Sequence, residues 1–294
     1  MDHFAELKNL PVKHEFFIGY DSDGCVFDTM EVKQKECFCP ALVKHFNLQA
    51  ASKYAREVWE FVNLYSKTRG CNRFQAIKYA LDFMKERHEF KERGIKLAST
   101  KDLEAWMKEE TKLGNPTLEK KVAAGKSEEL THLLGWSKEV NQVIEKIVHD
   151  VPPFPGVEKV LKAAKSRADM IVVSQTPVEA LSREWKENKI DHYLEFIAGQ
   201  EHGTKAEHLQ YAAKDKYPSE KILMIGDAIG DLKAANASNT LFYPIIPGRE
   251  EESWAKLADE ALERFFSLKY AGDYQKALIE EFDKALPATP PWKK

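Results

Sequence analysis

The sequence predicts an α/β protein with a doubly wound parallel sheet and an all-helical domain inserted near its amino end. Five short apolar segments have the length and composition of strands, and helical apolar spacing separates the last four. The interval between the first two segments includes residues 30–150 and is far too long for a simple crossover. These observations favour an α/β core interrupted by a second domain.

The five strand-like segments are continuously apolar rather than alternating, which is typical of strands covered by helices on both faces. Strand–helix alternation after the insertion then implies a parallel, doubly wound sheet. The predicted strands span residues 16–20, 170–174, 195–199, 222–226 and 241–246.

The insertion at residues 30–150 carries four apolar stripes with helical spacing. The stripes are Ala55, Val58, Trp59 and Val62; Phe74, Ile77, Leu81 and Met84; Leu103, Trp106 and Met107; and Val140, Val143, Ile144, Ile147 and Val148. A run of prolines ending in glycine at 151–156 cannot continue a helix, so it marks the exit. We therefore expect an α/β core at 1–29 and 151–250, a helical domain at 30–150, and a C-terminal helical extension at 251–294 packed on the core.

Composition excludes several classes of protein. The chain has 294 residues and a net charge of −3 without a basic cluster, which argues against a nucleic-acid binder. No stretch approaches a membrane span, and the first residues do not resemble a signal peptide. The four cysteines lack a second Cys/His pair at metal-binding spacing, so reduced thiols in a cytoplasmic protein are expected. Monomer and homodimer both remain open.

Two aspartates, Asp21 and Asp23, follow the first strand, and Gly24 comes directly after them. Two carboxylates this close are costly unless one is protonated or a cation lies between them. The glycine lets the backbone leave the strand sharply. A calcium loop would need further oxygen ligands that the following residues do not supply. An ordinary Asp-rich turn remains the alternative.

A second polar cluster begins at Ser174, at the end of the second predicted strand. Thr176, Pro177 and Glu179 fit an N-cap, a first helical proline and a capping box. Ser174 would then lie beside the free N–H groups of a helix amino terminus, a natural anion site. The alternative is a serine that only caps its own turn.

Two further clusters follow the third and fourth strands. Lys205 lies in a first helical turn, where its charge opposes the helix dipole, so it either has another use or faces water. Asp227 comes directly after Gly226, and Asp231 follows four residues later. Two carboxylates at this spacing are typical of a metal or phosphate site. Taken alone, this last pattern also fits a loop with a helix cap.

Together, the order Asp-x-Asp-Gly, Ser, Lys and Gly-Asp-x-x-x-Asp resembles the haloacid dehalogenase-like (HAD) superfamily. Each element falls near the carboxyl end of its strand, where doubly wound sheets bind ligands. The resemblance covers residues 15–30 and 151–247, and the insertion lies where that family places its C1-type helical cap. It implies a HAD-like Rossmannoid core with an inserted all-helical cap.

The resemblance also implies roles for individual residues. Asp21 would be the nucleophile and Asp23 the general acid/base of a phosphoryl transfer. The phosphate-binding residues would be Ser174, Gln175, Lys205 and Gly24. Mg²⁺ would be held by Asp21, Asp23, Asp227 and Asp231, although the sequence does not exclude Mn²⁺.

The implied activity is that of a Mg²⁺-dependent phosphatase that acts on a small phosphorylated metabolite through an aspartyl-phosphate intermediate. An aspartate at position 23 favours phosphate-ester hydrolysis over the dehalogenase and phosphonate-cleaving branches of the family. A phosphomutase of the β-phosphoglucomutase type shares all four motifs and remains an alternative. A non-catalytic protein that binds a phosphate ligand is the alternative of another class.

Substrate choice in C1-capped members comes largely from the cap. Residues 66–73 concentrate hydrogen-bond donors around a glycine between two predicted helices. The candidates for contacting a phosphorylated or carboxylated substrate are Lys67, Arg69, Asn72 and Arg73. A solvated loop between helices is the alternative.

Overall fold

The computed structural model describes residues 4–293 and contains a five-stranded parallel sheet with strand order β3-β2-β1-β4-β5. The strands are β1 (Phe16–Tyr20), β2 (Ala168–Val173), β3 (Phe196–Ala198), β4 (Ile222–Gly226) and β5 (Leu241–Pro244). After β1, the chain forms β2 and β3 on one side of that strand and then β4 and β5 on the other, so the sheet is doubly wound. The predicted fold class and all five predicted strands are confirmed, with ends shifted by up to two residues.

Strand β1 lies at the centre of the sheet, and its side chains alternate between two apolar layers. Phe16, Ile18 and Tyr20 belong to the core on one face, whereas Phe17 belongs to the core on the other. A Cβ on Gly19 would lie 2.9 Å from a methyl of Val173, so the close packing of β1 on its neighbours requires glycine. Burial on both faces explains why the strand sequences do not alternate.

The register of the sheet aligns the ends of its central strands. Tyr20 at the end of β1 is paired with Val172 on β2 and with Ile225 on β4. The residues that follow these three positions therefore emerge at one edge, the carboxyl edge, where the switch point of a doubly wound sheet lies.

The chain divides into two compact units. The first comprises Met1–Met30 and Asp150–Pro287, and the second comprises Glu31–His149 and Ala288–Lys294. Residues 288–293 therefore belong to the second, helical unit.

In the first unit, helices flank the sheet and supply both apolar layers. They span Ala5–Lys8, Val157–Ala164, Val178–Glu187, Lys205–Leu209, Ile229–Ala237, Glu250–Lys256, Leu262–Phe266 and Asp273–Ala285. Single π-helical turns prolong the helix after Leu209 and join the helices that end at Lys256 and begin at Leu262.

The second unit is built from helices around its own apolar core, which includes three fully buried tryptophans, Trp59, Trp106 and Trp136. Its helices span Lys33–Phe38 (a π-helix), Cys39–His45, Ser52–Asn63, Arg73–Glu86, His88–Glu92, Lys101–Glu109, Asn115–Ala124 and Glu128–Ile147, and the short helix Thr29–Val32 leads into them. Among residues 4–293, no helix is long and apolar enough to cross a membrane.

Candidate active site

Three buried carboxylates meet at the carboxyl edge of the sheet. The N–H of Asp21 donates to the carbonyl of Ile225 at 2.9 Å, so the residue after β1 is still held against β4. Asp227 follows β4 by one residue, and Asp231 lies in the first turn of the next helix. One carboxylate oxygen from each of Asp21, Asp227 and Asp231 lies within 4.8 Å of the other two.

Lys205 bridges two of these carboxylates. Its Nζ lies 2.7 Å from Asp21 Oδ2 and 2.6 Å from Asp231 Oδ1. A capping box holds the start of its helix, because the Thr204 hydroxyl accepts from the N–H of Glu207 and the Glu207 carboxylate accepts from the N–H of Thr204. Burial by itself lowers the pKa of Lys205, but Asp21 and Asp231 outweigh it and raise the pKa above its ordinary value.

Gly226 explains why Asp231 can come so close to the strand. A Cβ at position 226 would lie 2.5 Å from both Cβ and Cγ of Asp231. In the space that the glycine leaves, Asp231 Oδ2 accepts from the N–H groups of Asp227 and Ala228 at 3.1 and 3.0 Å. Asp231 therefore caps its own helix, orients the loop that carries Asp227 and binds Lys205.

The charges of this cluster favour a divalent cation. Burial raises the pKa of Asp21 well above its usual range; Lys205 acts against this effect, and Asp231 and Asp227 add to it. With all three carboxylates ionised, Lys205 leaves two negative charges uncompensated in a buried site. The available ligands are hard carboxylate oxygens, the type that Mg²⁺ and Mn²⁺ prefer. The residues present therefore fit a divalent metal ion.

Asp23 is not part of this group of three carboxylates, and two hydroxyl groups donate to it. Thr29 Oγ1 donates to Asp23 Oδ1, and Thr176 Oγ1 donates to Asp23 Oδ2 at 2.7 Å. The turn after it has Gly24 at φ 76°, a left-handed conformation that favours glycine, and the Gly24 N–H donates to the carbonyl of Phe27. Each carboxylate oxygen of Asp23 thus has its own donor.

Ser174 and Gln175 form the turn between β2 and the following helix. Ser174 is buried, and its hydroxyl oxygen accepts from the N–H of Thr176 at 3.2 Å. Gln175 is exposed and donates from Nε2 to the carbonyl of Gly203 at 2.8 Å, which ties this turn to the segment before the lysine.

The helix after this turn begins later than the sequence predicts. It starts at Val178, whose N–H donates to Glu201 Oε2 at 3.0 Å, and its N-cap is Pro177. The prediction of Thr176 as N-cap is wrong because its hydroxyl binds Asp23 instead.

Two of the four specificity candidates are bonded to nearby backbone in the helical unit. Arg69 is buried, and its Nη1 donates to the carbonyl of Leu64 at 3.0 Å. Asn72 caps the helix Arg73–Glu86 by accepting from the N–H of Phe74, and its Nδ2 donates to the carbonyl of Leu113. These contacts organise the loop.

The other two candidates differ from each other. Arg73 Nη1 donates to Ser137 Oγ at 3.0 Å and to Asn141 Oδ1 at 2.7 Å, and its guanidinium carbon lies 4.9 Å from the ring centroid of Phe38. Lys67, by contrast, is exposed. Arg73 thus joins two helices of its own unit.

A family model described as haloacid dehalogenase-like hydrolase matches residues 87–244, more than half of the chain. The chain belongs to this family. The match includes Ser174, Lys205, Asp227 and Asp231, and it confirms the resemblance inferred from the motifs and the prediction of an enzyme. No curated protein sequence matches this hydrolase.

Solved structures that match this chain have low sequence identity to it. A predicted phosphoglycolate phosphatase of Haemophilus somnus 129PT is 16% identical over 79% of this chain and 86% of its own, with a TM-score of 0.48. A β-phosphoglucomutase of Clostridium difficile is 16% identical over 86% of this chain and 97% of its own, also with a TM-score of 0.48. At these values neither activity is carried over to this chain.

The sequence does not predict that two threonines, Thr29 and Thr176, bind Asp23 through their hydroxyl groups. Thr29 stands six residues after that aspartate, and Thr176 comes from a distant loop. Nothing in the sequence around Thr176 indicates a long-range partner, because its position before a proline is equally typical of a helix cap.

Proposed function

We propose that this chain is a Mg²⁺-dependent phosphoric monoester hydrolase that acts on a small phosphorylated metabolite through an aspartyl-phosphate at Asp21. The observation that carries the proposal is the buried trio of carboxylates, with Lys205 bonded to the proposed nucleophile. A buried cluster with this charge stabilises a fold less than an apolar cluster would, so a structural role does not explain it.

The reaction would have two steps. Asp21 attacks phosphorus in line with the leaving oxygen, and Asp23 donates a proton to that oxygen. Asp23, now ionised, then takes a proton from water, which attacks the aspartyl-phosphate and releases inorganic phosphate. The hydroxyls of Thr29 and Thr176 support this role of Asp23, because they hold its carboxylate in one orientation.

Four residues are proposed to bind the transferring phosphoryl group: Gly24, Ser174, Gln175 and Lys205. The raised pKa of Lys205 supports its part, since the side chain keeps its positive charge beside the nucleophile. Ser174 would present its hydroxyl or backbone at the end of β2.

The proposed metal ligands are the three clustered aspartates, Asp21, Asp227 and Asp231, together with Asp23. When bound, Mg²⁺ supplies positive charge that offsets these carboxylates and the phosphoryl oxygens. The three aspartates are already placed by backbone and lysine contacts, so little rearrangement of the chain is required.

We further propose that 1–29 and 151–250 form the catalytic core, that 30–150 acts as the cap, and that the protein is cytoplasmic. Among the loop candidates, the exposed Lys67 is the one we propose to influence substrate choice. The contacts of Arg69, Asn72 and Arg73 give those residues a role in holding the loop.

A phosphate-release screen tests the proposal directly. The panel contains sugar phosphates, phosphoglycolate, nucleotides and phosphonates, each assayed with Mg²⁺ and with a chelator. Asp21→Asn is expected to abolish phosphate release, and Asp23→Asn to abolish turnover. Asp215→Asn, a change at an exposed aspartate of the same unit, serves as the matched control and should retain wild-type rates.

The outcomes separate the alternatives. Mg²⁺-dependent phosphate accumulation that is lost in Asp21→Asn supports the phosphatase. Interconversion of phosphorylated isomers without phosphate release would instead identify a phosphomutase. Binding of a phosphate ester without conversion would identify a non-catalytic protein.

A further inference from the structure

Ser22, which lies between the two catalytic aspartates, is fully buried with all its polar groups bonded. Its N–H donates to Asp21 Oδ1 at 2.8 Å. Its carbonyl accepts from the N–H groups of Cys25, Val26 and Phe27 at 3.3, 2.9 and 3.1 Å. The turn that carries both aspartates is therefore folded around this one residue.

The side chain of Ser22 is locked by two neighbouring residues of one helix, Val178–Glu187. Its hydroxyl donates to Glu184 Oε2 at 3.0 Å and accepts from Trp185 Nε1 at 3.0 Å. Trp185 is itself fully buried and packs edge-on against Phe27, with ring centroids 5.6 Å apart. The hydroxyl therefore has a single orientation, with a carboxylate on one side and an indole on the other.

The two contacts of this turn come from opposite faces of the sheet. Trp185 belongs to the apolar layer on one face, whereas Leu209, at the end of the helix that Lys205 begins, belongs to the layer on the other. Lys205 thus holds Asp21 from one face, and Glu184 holds Ser22 from the other. Displacement of the turn would stretch one contact or the other.

We propose that Glu184 is a positioning residue of the reaction, which acts through the hydroxyl of Ser22 to fix Asp21 and Asp23 for in-line attack. This inference rests on the phosphatase function proposed above. A carboxylate accepts a stronger hydrogen bond than a neutral group, so it holds the serine more firmly than an amide or a water would. An error of about 1 Å in the position of a reacting group costs about 100-fold in rate.

The test compares three variants, Glu184→Ala, Glu184→Gln and Ser22→Ala, with Glu187→Ala as a control on the same helix. Glu187 is exposed, and its carboxylate lies 3.8 Å from Arg183 Nε. kcat and KM are measured for p-nitrophenyl phosphate with Mg²⁺, together with the melting temperature. We expect Glu184→Ala and Ser22→Ala to lower kcat about 10- to 100-fold with KM nearly unchanged.

The conservative variant adds a second criterion. Glu184→Gln keeps an oxygen that accepts from the serine hydroxyl, although more weakly than the carboxylate does, so it should recover part of the rate lost in Glu184→Ala. The double variant Ser22→Ala/Glu184→Ala should be no slower than Ser22→Ala, because both changes break the same contact. If Glu184→Ala does not fold, Ser22→Ala and Glu184→Gln carry the comparison.

A wild-type kcat in Ser22→Ala or Glu184→Ala, with only the melting temperature lowered, overturns the positioning role and leaves the phosphatase assignment intact. Failure of the wild-type protein to hydrolyse any phosphate ester overturns both. A fall in kcat that Glu187→Ala shares equally also contradicts the proposal.

Discussion

At the scale of single residues, the site brings buried carboxylates together, and their mutual repulsion is unfavourable without a cation. Asp21, Asp227 and Asp231 are buried together, and Lys205 supplies the nearest positive charge. Natural proteins accept such strain at functional sites and lose stability for it. Removing one of the negative charges should therefore make the metal-free protein more stable.

Asp21→Asn is predicted to raise the melting temperature in the presence of a chelator while it abolishes phosphate release. The neutral amide no longer repels the other two carboxylates, and Lys205 keeps its bond to Asp231. A gain of about 1 kcal/mol, or a few degrees, is expected. Calorimetry with and without Mg²⁺ measures it.

Asp215→Asn, at an exposed site, is the control and should leave the melting temperature unchanged. A melting temperature of Asp21→Asn below that of the wild type would show that the Lys205–Asp21 contact outweighs the repulsion.

The residues that follow strand ends could be predicted from the sequence, and those that support them could not. Asp21, Asp227 and Lys205 follow or neighbour apolar strands in a recognisable order, so topology alone brings them to one edge. Thr176 and Glu184 reach the first strand's turn only through tertiary packing. Their local sequences are typical of an ordinary helix start and an ordinary solvent-facing helix.

At the scale of elements, the strand–loop–helix unit formed by β4 and the helix Ile229–Ala237 places Asp231. The absence of a side chain at Gly226 is what allows that carboxylate to contact both the loop and the lysine. The geometry of this element therefore depends on one residue that has no chemistry of its own.

Gly226→Ala is predicted to lower the free energy of unfolding by about 1–3 kcal/mol and to reduce phosphate release sharply. The added methyl would lie 2.5 Å from the Cβ and Cγ of Asp231, so that side chain must move away from Lys205. Urea unfolding and steady-state kinetics measure the two effects.

Gly230→Ala is a matched control within the next helix, where an added Cβ meets nothing within 4 Å. Alanine favours a helix more than glycine does, so this variant should be as stable as the wild type or up to about 1 kcal/mol more stable. Equal behaviour of the two variants would refute a steric role for Gly226.

At the scale of the whole molecule, stability at acidic pH depends on a buried histidine. His208 is fully buried on the helix that Lys205 begins. Burial is the main effect that lowers the pKa of His208, and the positive charges of His202 and Lys205 lower it further, to about 4. The folded protein therefore keeps this histidine neutral at pH values where the unfolded chain protonates it.

The free energy of unfolding is predicted to fall as the pH drops from about 6.5 to about 4, by roughly 3 kcal/mol from this one residue. In that window the unfolded state binds a proton at His208 that the folded state does not. The contribution of His208 to stability is therefore fully present above about pH 6.5 and is lost below about pH 4. His208→Gln should weaken the dependence, as followed by urea unfolding at a series of pH values. His88→Gln, at an exposed position, should leave it unchanged.

The two units explain why the ends of the chain are harder to predict than its strands. The proline-rich tail has no apolar periodicity, and its one aromatic side chain, Trp292, packs against residues from a distant part of the sequence. The helix Asp273–Ala285 belongs to the first unit, whereas residues 288–293 belong to the second.

Trp292→Ala is predicted to destabilise the helical unit by about 2 kcal/mol. The indole packs edge-on against Phe61 and Phe83, at centroid distances of 5.4 and 6.1 Å, and the Arg87 guanidinium lies 4.7 Å from its ring.

Since the chain has two compact units, unfolding need not be two-state, and hydrogen exchange should show faster opening in the helix Arg73–Glu86. Lys293→Ala removes a surface ion pair with Glu86 and a cation–π contact with Phe83 at 5.4 Å, both partly exposed, so it should change exchange far less than Trp292→Ala does. Equal exchange in Trp292→Ala and the wild type would show that the tail contributes nothing to the stability of this unit.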